Sequence, residues 1–445
     1  MRHEAIDVRM MGARHETIDE QKRGVRHETI DEPRVSRLIP PRVSGLTSRA
    51  PWPKVKLGEV LSIKHGYAFE GDGISSEDNG VVLVTPGNFQ LGGGFKESNK
   101  KFFTKAYPES YVLKAGDFIV TMTDLSKDTD TLGYSAKVPS SDKVYLHNQR
   151  IGLVDVFNKT ADREFVYWFM RTRAYQRTIA GCASGVSVKH TSPQKIYSAE
   201  IPLPPLPVQR QIADILSAYD DLIENNRRRI AILEETARLT YRKWFGGMEQ
   251  GRTATLGKIC REVRRGVNPD AIAPDTPYIG LEHMPRRSIS LCEWESAQKV
   301  TSTKLAFEAG DILFGKIRPY FHKVGITFVD GVASSDAIVI KPLRPELHAY
   351  VLMTVSSDAF VAVASQGMKE GSKMPRADWK QLLNYSVAMP DDDTLAEFNK
   401  VLNPILEQLK TLCFSIRNLA AARDMLLPRL MNGEEKLLNK EMRND

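Results

Sequence analysis

Two stretches of the chain carry apolar side chains at alternating steps of three and four residues. The first runs through Val208, Ile212, Ile215, Tyr219, Leu222, Asn226, Ile230, Leu233, Ala237, Thr240 and Trp244. The second runs through Leu395, Phe398, Leu402, Ile405, Leu409, Leu412, Ile416, Leu419, Arg423, Leu426 and Leu430. This spacing is the seam of a coiled coil, and about five heptads in each stretch favour two long rods over a pair of core helices. At 1.5 Å per residue each would extend on the order of 55 Å. Pro202, Pro204, Pro205 and Pro207 stop what precedes the first helix and set its start. Pro404 lies inside the second stretch, where it predicts a kink or a late start. Elsewhere the pattern shortens: runs such as Gly80–Val84 and Ala337–Ile340, broken by Gly, Asp and Pro, predict strands.

The sequence repeats itself. Leu57-Gly58-Glu59-Val60 returns as Leu256-Gly257-Lys258-Ile259, and Ala115-Gly116-Asp117-Phe118-Ile119 as Ala309-Gly310-Asp311-Ile312-Leu313. Ile201-Pro202 is matched by Met389-Pro390, and Leu233 to Arg238 by Leu419 to Asp424. The offsets, 199, 194, 188 and 186, shrink along the chain, so one scaffold is used twice with loops of different length. Scaffold carries stability while loops carry recognition, so two related ligands that differ in detail are expected. The predicted organisation is a mixed α/β (α+β) module at 51–206, a helix at 207–250, a second module at 251–392 and a second helix at 393–438, with a short tail at 439–445. Residues 1–50 stand apart. Arg-His-Glu-Ala-Ile-Asp at Arg2 returns as Arg-His-Glu-Thr-Ile-Asp-Glu at Arg14 and Arg26, every 12 residues. A charged repeat this poor in large apolar residues cannot bury a core. It reads as a flexible tail or as a gene model begun too far upstream.

Composition narrows the function. Hydrophobic residues are 42% and charged residues 26%, the balance of an ordinary globular chain. The net charge of +7 favours a polyanionic partner. No apolar run approaches the roughly 18 residues of a membrane span, and no signal-peptide core is present, so a cytoplasmic protein is expected. Cys182, Cys260, Cys292 and Cys413 lie far apart without a CxxC pair, so reduced thiols are expected. The chain has no phosphate loop, HExxH helix or GxSxG elbow, and no Asp/Asn-Pro-Pro-aromatic tetrad of an amino-methyltransferase. Gly92-Gly93-Gly94 lacks the Lys of a phosphate cradle and reads as a hairpin loop. A binding or assembly protein follows, with no catalytic, cofactor or metal site expected. Between Pro207 and Phe245 the first helix balances seven Lys or Arg against six Asp or Glu. It is therefore a spacer and docking face rather than a helix built to lie on DNA. Asn226 at a seam position would fix register or partner choice; an Asn rotated just out of the seam, beside Asn225, is the alternative.

The run Ile201-Pro202-Leu203-Pro204-Pro205-Leu206-Pro207-Val208-Gln209-Arg210-Gln211-Ile212-Ala213, then Leu216, Asp220-Asp221 and Ile223, resembles the central conserved region of the specificity subunits of type I restriction–modification systems. Tyr241-Arg242-Lys243-Trp244-Phe245 is similar to the close of that region. Leu426-Leu427-Pro428-Arg429-Leu430-Met431-Asn432-Gly433-Glu434 is similar to the family's C-terminal conserved region. Gly310-Asp311-Ile312-Leu313-Phe314, followed by Lys316-Ile317-Arg318-Pro319-Tyr320, resembles a pattern of its recognition domains. The resemblance spans Trp52 to about Leu438. It implies two target-recognition domains, each binding half of a bipartite asymmetric DNA site, held apart by two antiparallel helices related by a pseudo-two-fold repeat. It also implies that the helices dock methyltransferase subunits, two of them, and through these the restriction/translocase subunits. Adenine methylation with S-adenosylmethionine and cleavage driven by ATP and Mg would belong to those partners. The second hinge, Met389-Pro390-Asp391-Asp392-Asp393, departs from the Pro-rich first one, which puts docking at that end in doubt.

Base edges are read by Arg, Lys, Asn, Gln and small polar residues, and phosphates by Lys, Arg and backbone amides. Lys316, Arg318, Tyr320, His322 and Lys323 form the strongest candidate cluster. On a strand the even-numbered members would share one face; a solvated basic strand edge is the alternative. The matching stretch of the first module, Thr121 to Lys127, is polar but not basic. A second pair of candidates precedes each hinge: Lys189 and His190 in a Gly/Ser loop leading to Ser192-Pro193, and Lys373 and Arg376 in the second module. A capped helix start beside a Lys is a natural phosphate seat, though turn chemistry alone also explains the Gly and Ser. Lys64 and Tyr67 are weaker candidates, the aromatic being equally suited to a core. For helix pairing or partner docking, the candidates are Ile212, Ile215, Tyr219, Leu222, Asn226, Ile230, Leu233, Leu409, Leu412, Ile416, Leu419 and Leu426. The competing functions are a coiled-coil adaptor whose globular ends bind proteins, and an orphan subunit without partners.

Overall fold

The computed structural model describes residues 52–97, 100–126, 129–246, 252–366 and 374–433. The expectations for 1–50, for Lys127 and Lys373, and for the tail at 439–445 lie outside the described residues.

Each copy of the repeat folds around the same two sheets. In the first, an antiparallel sheet has the order Leu61–His65, Ile151–Val156, Phe118–Thr121, Ser135–Lys137. In the second, the order is Cys260–Val263, Ala337–Pro342, Ile312–Gly315, Val324–Ile326. The other sheet has a parallel pair at its centre in both copies. Val81–Val84 lies beside Val144–His147 in the first, and Pro277–Ile279 beside Gly331–Ala333 in the second. A further strand opens each copy and pairs with the strand that closes it: Lys54–Lys56 with Glu200–Pro202, and Thr253–Thr255 with Ser386–Ala388. These closures bring the start and the hinge of each module together, as the shared landmarks require. Helices α1 (Arg163–Phe169), α2 (Arg173–Gly181) and α3 (Pro193–Tyr197) complete the first module. After the long helix α4 (Leu206–Phe245) come α5 (His348–Val355), α6 (Asp358–Gln366) and α7 (Trp379–Leu382) in the second. The chain then enters α8 (Asp392–Met431).

The two long helices have 40 residues each, about 60 Å at 1.5 Å per residue. They pair antiparallel: Asp220 meets Arg423, Asn226 meets Ser415, and Trp244 meets Phe398, so residue numbers rise on one helix as they fall on the other. Of the seam positions, Ile212, Asn226, Ile230, Leu409 and Leu412 are buried, while Ile215, Tyr219, Leu222, Leu233, Ile416, Leu419 and Leu426 are half-buried. Leu216 and Ile223 are more deeply buried than their neighbours in the expected stripe. The first half of α4 packs against α1 as well as α8, which rotates the covered face by one position. Asn226 lies in the seam and Asn225 is exposed, so the buried-amide reading holds; Asn226 Nδ2 donates to Ser415 Oγ at 3.0 Å. The late start at Pro404 is not what forms. Asp391 caps the helix through Thr394 N at 2.7 Å, and the helix runs through an exposed Pro404.

The first module grips one end of the rod and the second grips the other. Gln209 donates to Thr160 O and accepts from Asp162 N, and Trp168 Nε1 donates to Ser217 Oγ. At the far end the hydroxyls of Tyr241 and Thr354 bond at 3.0 Å, and Phe245 packs against Tyr350 and Phe398. After α8, Gly433 returns to the first module, where a Cβ would come within 3.2 Å of the Trp52 ring. The expectation of four reduced thiols is corrected: Cys292 and Cys413 are joined in a disulfide that ties the second module to α8. Apolar periodicity could not foresee this, because the cysteines are 121 residues apart and meet only through the tertiary fold. Among the described residues no single helix is long and apolar enough to cross a membrane.

Candidate nucleic-acid interface

The candidate residues of each module, separate in sequence, meet at one end of its antiparallel sheet. In the second module the strand Ile312–Gly315 leads into Lys316 and Ile317, and Ile317 bridges to Arg376 in the loop before α7. Ala377 N donates to Lys316 O and Arg318 N to Pro375 O, both at 2.8 Å. In the first module Met122 takes the place of Lys316. Thr191 N donates to Met122 O at 3.0 Å, and Thr123–Asp124 pairs with Lys189–His190. A third loop joins each site through one more equivalent bond: Met122 N to Arg150 O, and Lys316 N to Asp336 O, each 3.0 Å. One backbone frame therefore displays two sets of side chains. Arg150 corresponds to Asp336, His190 to Arg376 and Asp124 to Arg318.

The stretch after Lys316 is not the expected strand. Arg318 (φ 49°) and His322 (φ 52°) are both left-handed and bracket a tight turn at Pro319–Phe321. The turn breaks the alternation of faces, so the five candidates do not act together. Arg318 and Tyr320 are exposed; Lys316 is half-buried and reaches the Ser335 carbonyl. His322 is buried, and its Nε2 lies 2.8 Å from the Ser356 carbonyl, which can only accept, so that nitrogen carries the proton. Burial lowers its pKa, with the nearby Arg287 adding to the effect, so the ring is neutral near pH 7 and serves the fold. Lys323 turns inward to the Leu281 carbonyl, its ammonium depressed by burial and by Arg286. Left-handed non-glycine residues are costly and cluster where a turn has a task. Here the turn leaves Arg318 and Tyr320 exposed beyond the end of the strand.

The sequence reading missed Arg286. Its guanidinium lies 4.0 Å above the Phe321 ring, with that of Arg318 at 5.8 Å, so one aromatic ring orients two cations beside the exposed Tyr320. No spacing signal could have found it, because Arg286 and Phe321 meet only in the fold. Arg376 is exposed and pairs with Asp336 at 3.3 Å.

The first module is chemically different. Asp124 is buried and accepts from Ser126 N, Thr131 N, Thr131 Oγ1 and Leu132 N at 2.6–3.0 Å. Burial pushes its carboxyl up, but the bonds from Thr131 and Ser126 outweigh that and hold it below the usual range. His190 is exposed with Nδ1 3.1 Å from Thr123 Oγ1, and Lys189 reaches back to Gly185 O at 2.9 Å. Gln149 and Arg150 are exposed in the third loop and were also missed; they sit in an ordinary polar turn. Lys64 donates to Ser110 O at 3.1 Å and lies 4.8 Å over the Tyr111 ring. Tyr67 is 42% exposed, edge-on to Phe69, and its backbone joins Gln149 at the same end of the sheet. Both helix starts before the hinges are capped, as expected: Ser192 caps α3 through Lys195 N, and Asp378 caps α7 through Lys380 N and Gln381 N. Among the described residues, Glu282, His283 and Glu295 form a cluster next to Leu281, whose carbonyl accepts from Lys323.

The rod holds both modules through buried charge. Arg171, on the first module, pairs with Asp220 of α4, which also pairs with Arg423 of α8. In the second module Glu234 of α4 is buried, and its Oε1 accepts from Ser288 Oγ, Ile289 N and Ser290 N at 2.6–3.0 Å. That loop continues through Arg287, whose N donates to His322 O at 2.9 Å, to the turn carrying Arg318.

Residues 50–235, the first module and most of α4, match the type I restriction modification DNA specificity domain. The chain is 22% identical to the MjaIX specificity subunit of a Methanocaldococcus jannaschii type I restriction enzyme, over 61% of this chain and 68% of that protein. It is 26% identical to the EcoBI specificity subunit of Escherichia coli, over 43% of this chain and 38% of the other. The fold is similar to that of a type I restriction–modification S subunit from M. genitalium, with a TM-score of 0.51 at 16% identity, covering 87% of this chain and 97% of that one. That likeness concerns the fold alone.

Proposed function

We propose that this chain is a specificity subunit of the type I restriction–modification family and reads a bipartite, asymmetric site on double-stranded DNA, one half with each module. The observation that carries this reading is the backbone frame used twice with different chemistry. Equivalent positions hold Met122, Asp124, Arg150 and His190 in one module and Lys316, Arg318, Asp336 and Arg376 in the other. Identical scaffolds with identical side chains would read a palindrome; these would not. Arg318 and Arg376 are suited to guanine edges or phosphates, and Gln149 and Arg150 offer a different donor and acceptor set. The antiparallel rod fixes the separation of the two readers.

The exposed faces of α4 and α8 are the docking surfaces in this reading. Leu239 and Met425 correspond at the repeat offset of 186 and are 53% and 65% exposed, one on each helix. Equivalent apolar side chains on antiparallel helices suit two copies of one partner, here methyltransferase subunits. Methyl transfer from S-adenosylmethionine and ATP-driven cleavage belong to the partners, and the chain itself performs no catalysis. The test is selection from a random duplex library with the full-length chain and the complex it purifies with. Two short defined elements separated by a fixed undefined gap are expected. Retention of DNA without sequence preference, alongside capture of proteins by the globular ends, would support the coiled-coil adaptor instead.

A further inference from the structure

We propose that apolar side chains at the tips of the paired loops recognise thymine 5-methyl groups in the major groove. They are Leu125 and Val186 in the first module, and Tyr320 in the second. The inference rests on the DNA-reading function above and names what those sites take. Isolated exposed apolar residues are common on any protein surface. These three are not scattered: both modules place one on the loop that follows the strand Phe118–Thr121 or its counterpart Ile312–Gly315, and the first places another on the loop before its hinge. They are 61%, 94% and 50% exposed respectively.

Val186 shows the design most clearly. Its loop is closed by a pair of backbone bonds between Ser184 and His190, at 2.9 and 2.8 Å, and Lys189 Nζ bonds Gly185 O. Gly185 has φ +99°, and a Cβ there would lie 2.0 Å from Val188 O, so the turn admits only glycine. A rigid hairpin thus holds a valine almost wholly in water, where it contributes nothing to the core. The neighbouring groups say which partner covers it. Lys189, His190 and Arg150 border the first tip, and Lys316, Arg318, Arg376 and Arg286 border the second. A polyanion suits such a border better than an apolar protein surface. Within the major groove the thymine methyl is the apolar feature that a Val, Leu, Met or aromatic side chain can read.

The experiment compares the selected duplex with versions in which each thymine of a half-site is replaced by deoxyuridine, which removes the methyl and no hydrogen-bonding group. Each contacted methyl should contribute about fourfold in affinity, the effect of one buried methyl-sized group. Val186→Ser and Leu125→Ser should then bind thymine and uracil versions of the first half-site alike, while still discriminating in the second. Selected half-sites without thymine, uracil duplexes bound as tightly as the parent, or serine variants that still discriminate would overturn the proposal. Serine variants that keep DNA selection but lose the co-purifying subunit would show that the tips touch protein. Failure of the unaltered chain to select any sequence would refute the DNA-reading function itself.

Discussion

Asp220→Asn is the sharpest way to break the joint between the first module and the rod. The Arg171 side chain is 3% exposed, Arg423 14% and Asp220 30%, so one carboxylate serves two guanidiniums largely out of water. Arg171 also donates to Gly92 O at 3.0 Å and Gly93 O at 3.3 Å and stacks 4.3 Å from the Trp168 ring. It therefore cannot swing out to solvent when its anion is lost. Removing one partner of a buried pair costs about 3–5 kcal/mol. The asparagine oxygen still accepts one bond and Asp220 is partly wet, so about 3 kcal/mol is expected. A chain with two modules and a rod need not unfold in one step, so local opening is the proper readout. Backbone hydrogen exchange across α1 should accelerate on the order of a hundredfold. Adding Arg171→Met should restore much of the protection, because the buried charge is then gone. Burial raises the Asp220 pKa, but Arg171 and Arg423 outweigh it and leave the carboxyl below its ordinary 3.8. A depressed folded value means the contribution is complete above about pH 4 and is lost as pH falls through that lower value. Exchange in Asp220→Asn within about threefold of the parent would refute the reasoning.

Other perturbations test the remaining parts. Alkylation of the native, unreduced chain should label the exposed Cys182 and spare Cys260, whose thiol burial pushes up to about 12. After denaturation without reductant, Cys292 and Cys413 should stay unlabelled; four labelled thiols would refute the tether. Asn226→Leu alone should destabilise the rod by leaving the Ser415 hydroxyl without its partner, whereas Asn226→Leu with Ser415→Ala should melt at or above the parent temperature. Duplicating four residues in both helices between the two modules' attachments, Asp221–Glu224 in α4 and Asn418–Ala421 in α8, adds about 6 Å to the rod and keeps both seams nearly in phase. The selected gap should widen by one or two base pairs with unchanged half-sites, at about 3.4 Å per step; an unchanged gap with full binding would mean the rod is not a ruler.

Periodicity and repetition made the scaffold legible. Steps of three and four located both long helices, and drifting landmarks such as Leu57–Val60 and Leu256–Ile259 revealed two copies before any contact was known. Local pattern failed where the outcome depends on tertiary partners. The Lys316–Lys323 segment has the composition of a strand, yet Pro319 and two left-handed residues make it a turn, sending His322 and Lys323 inward. Arg286 joins the candidate site only because Phe321 lies beneath it, and Gln149 and Arg150 gain their place from one backbone bond to Met122. The site candidates were found as two clusters per module because the bridges joining them, Ile317 to Arg376 and Thr123 to His190, cross long stretches of chain.

The central claim is that each module reads its own half-site. The direct measurement is library selection with Arg318→Ala/Arg376→Ala beside the parent chain. Both residues lie on the second module's edge, one on the turn and one on the bridged loop. The account predicts that one half-site is relaxed or lost, at about 1–3 kcal/mol for each guanine contact removed. The other half-site should be recovered unchanged at the same spacing. Equal erosion of both halves, or an unaltered motif, would contradict it.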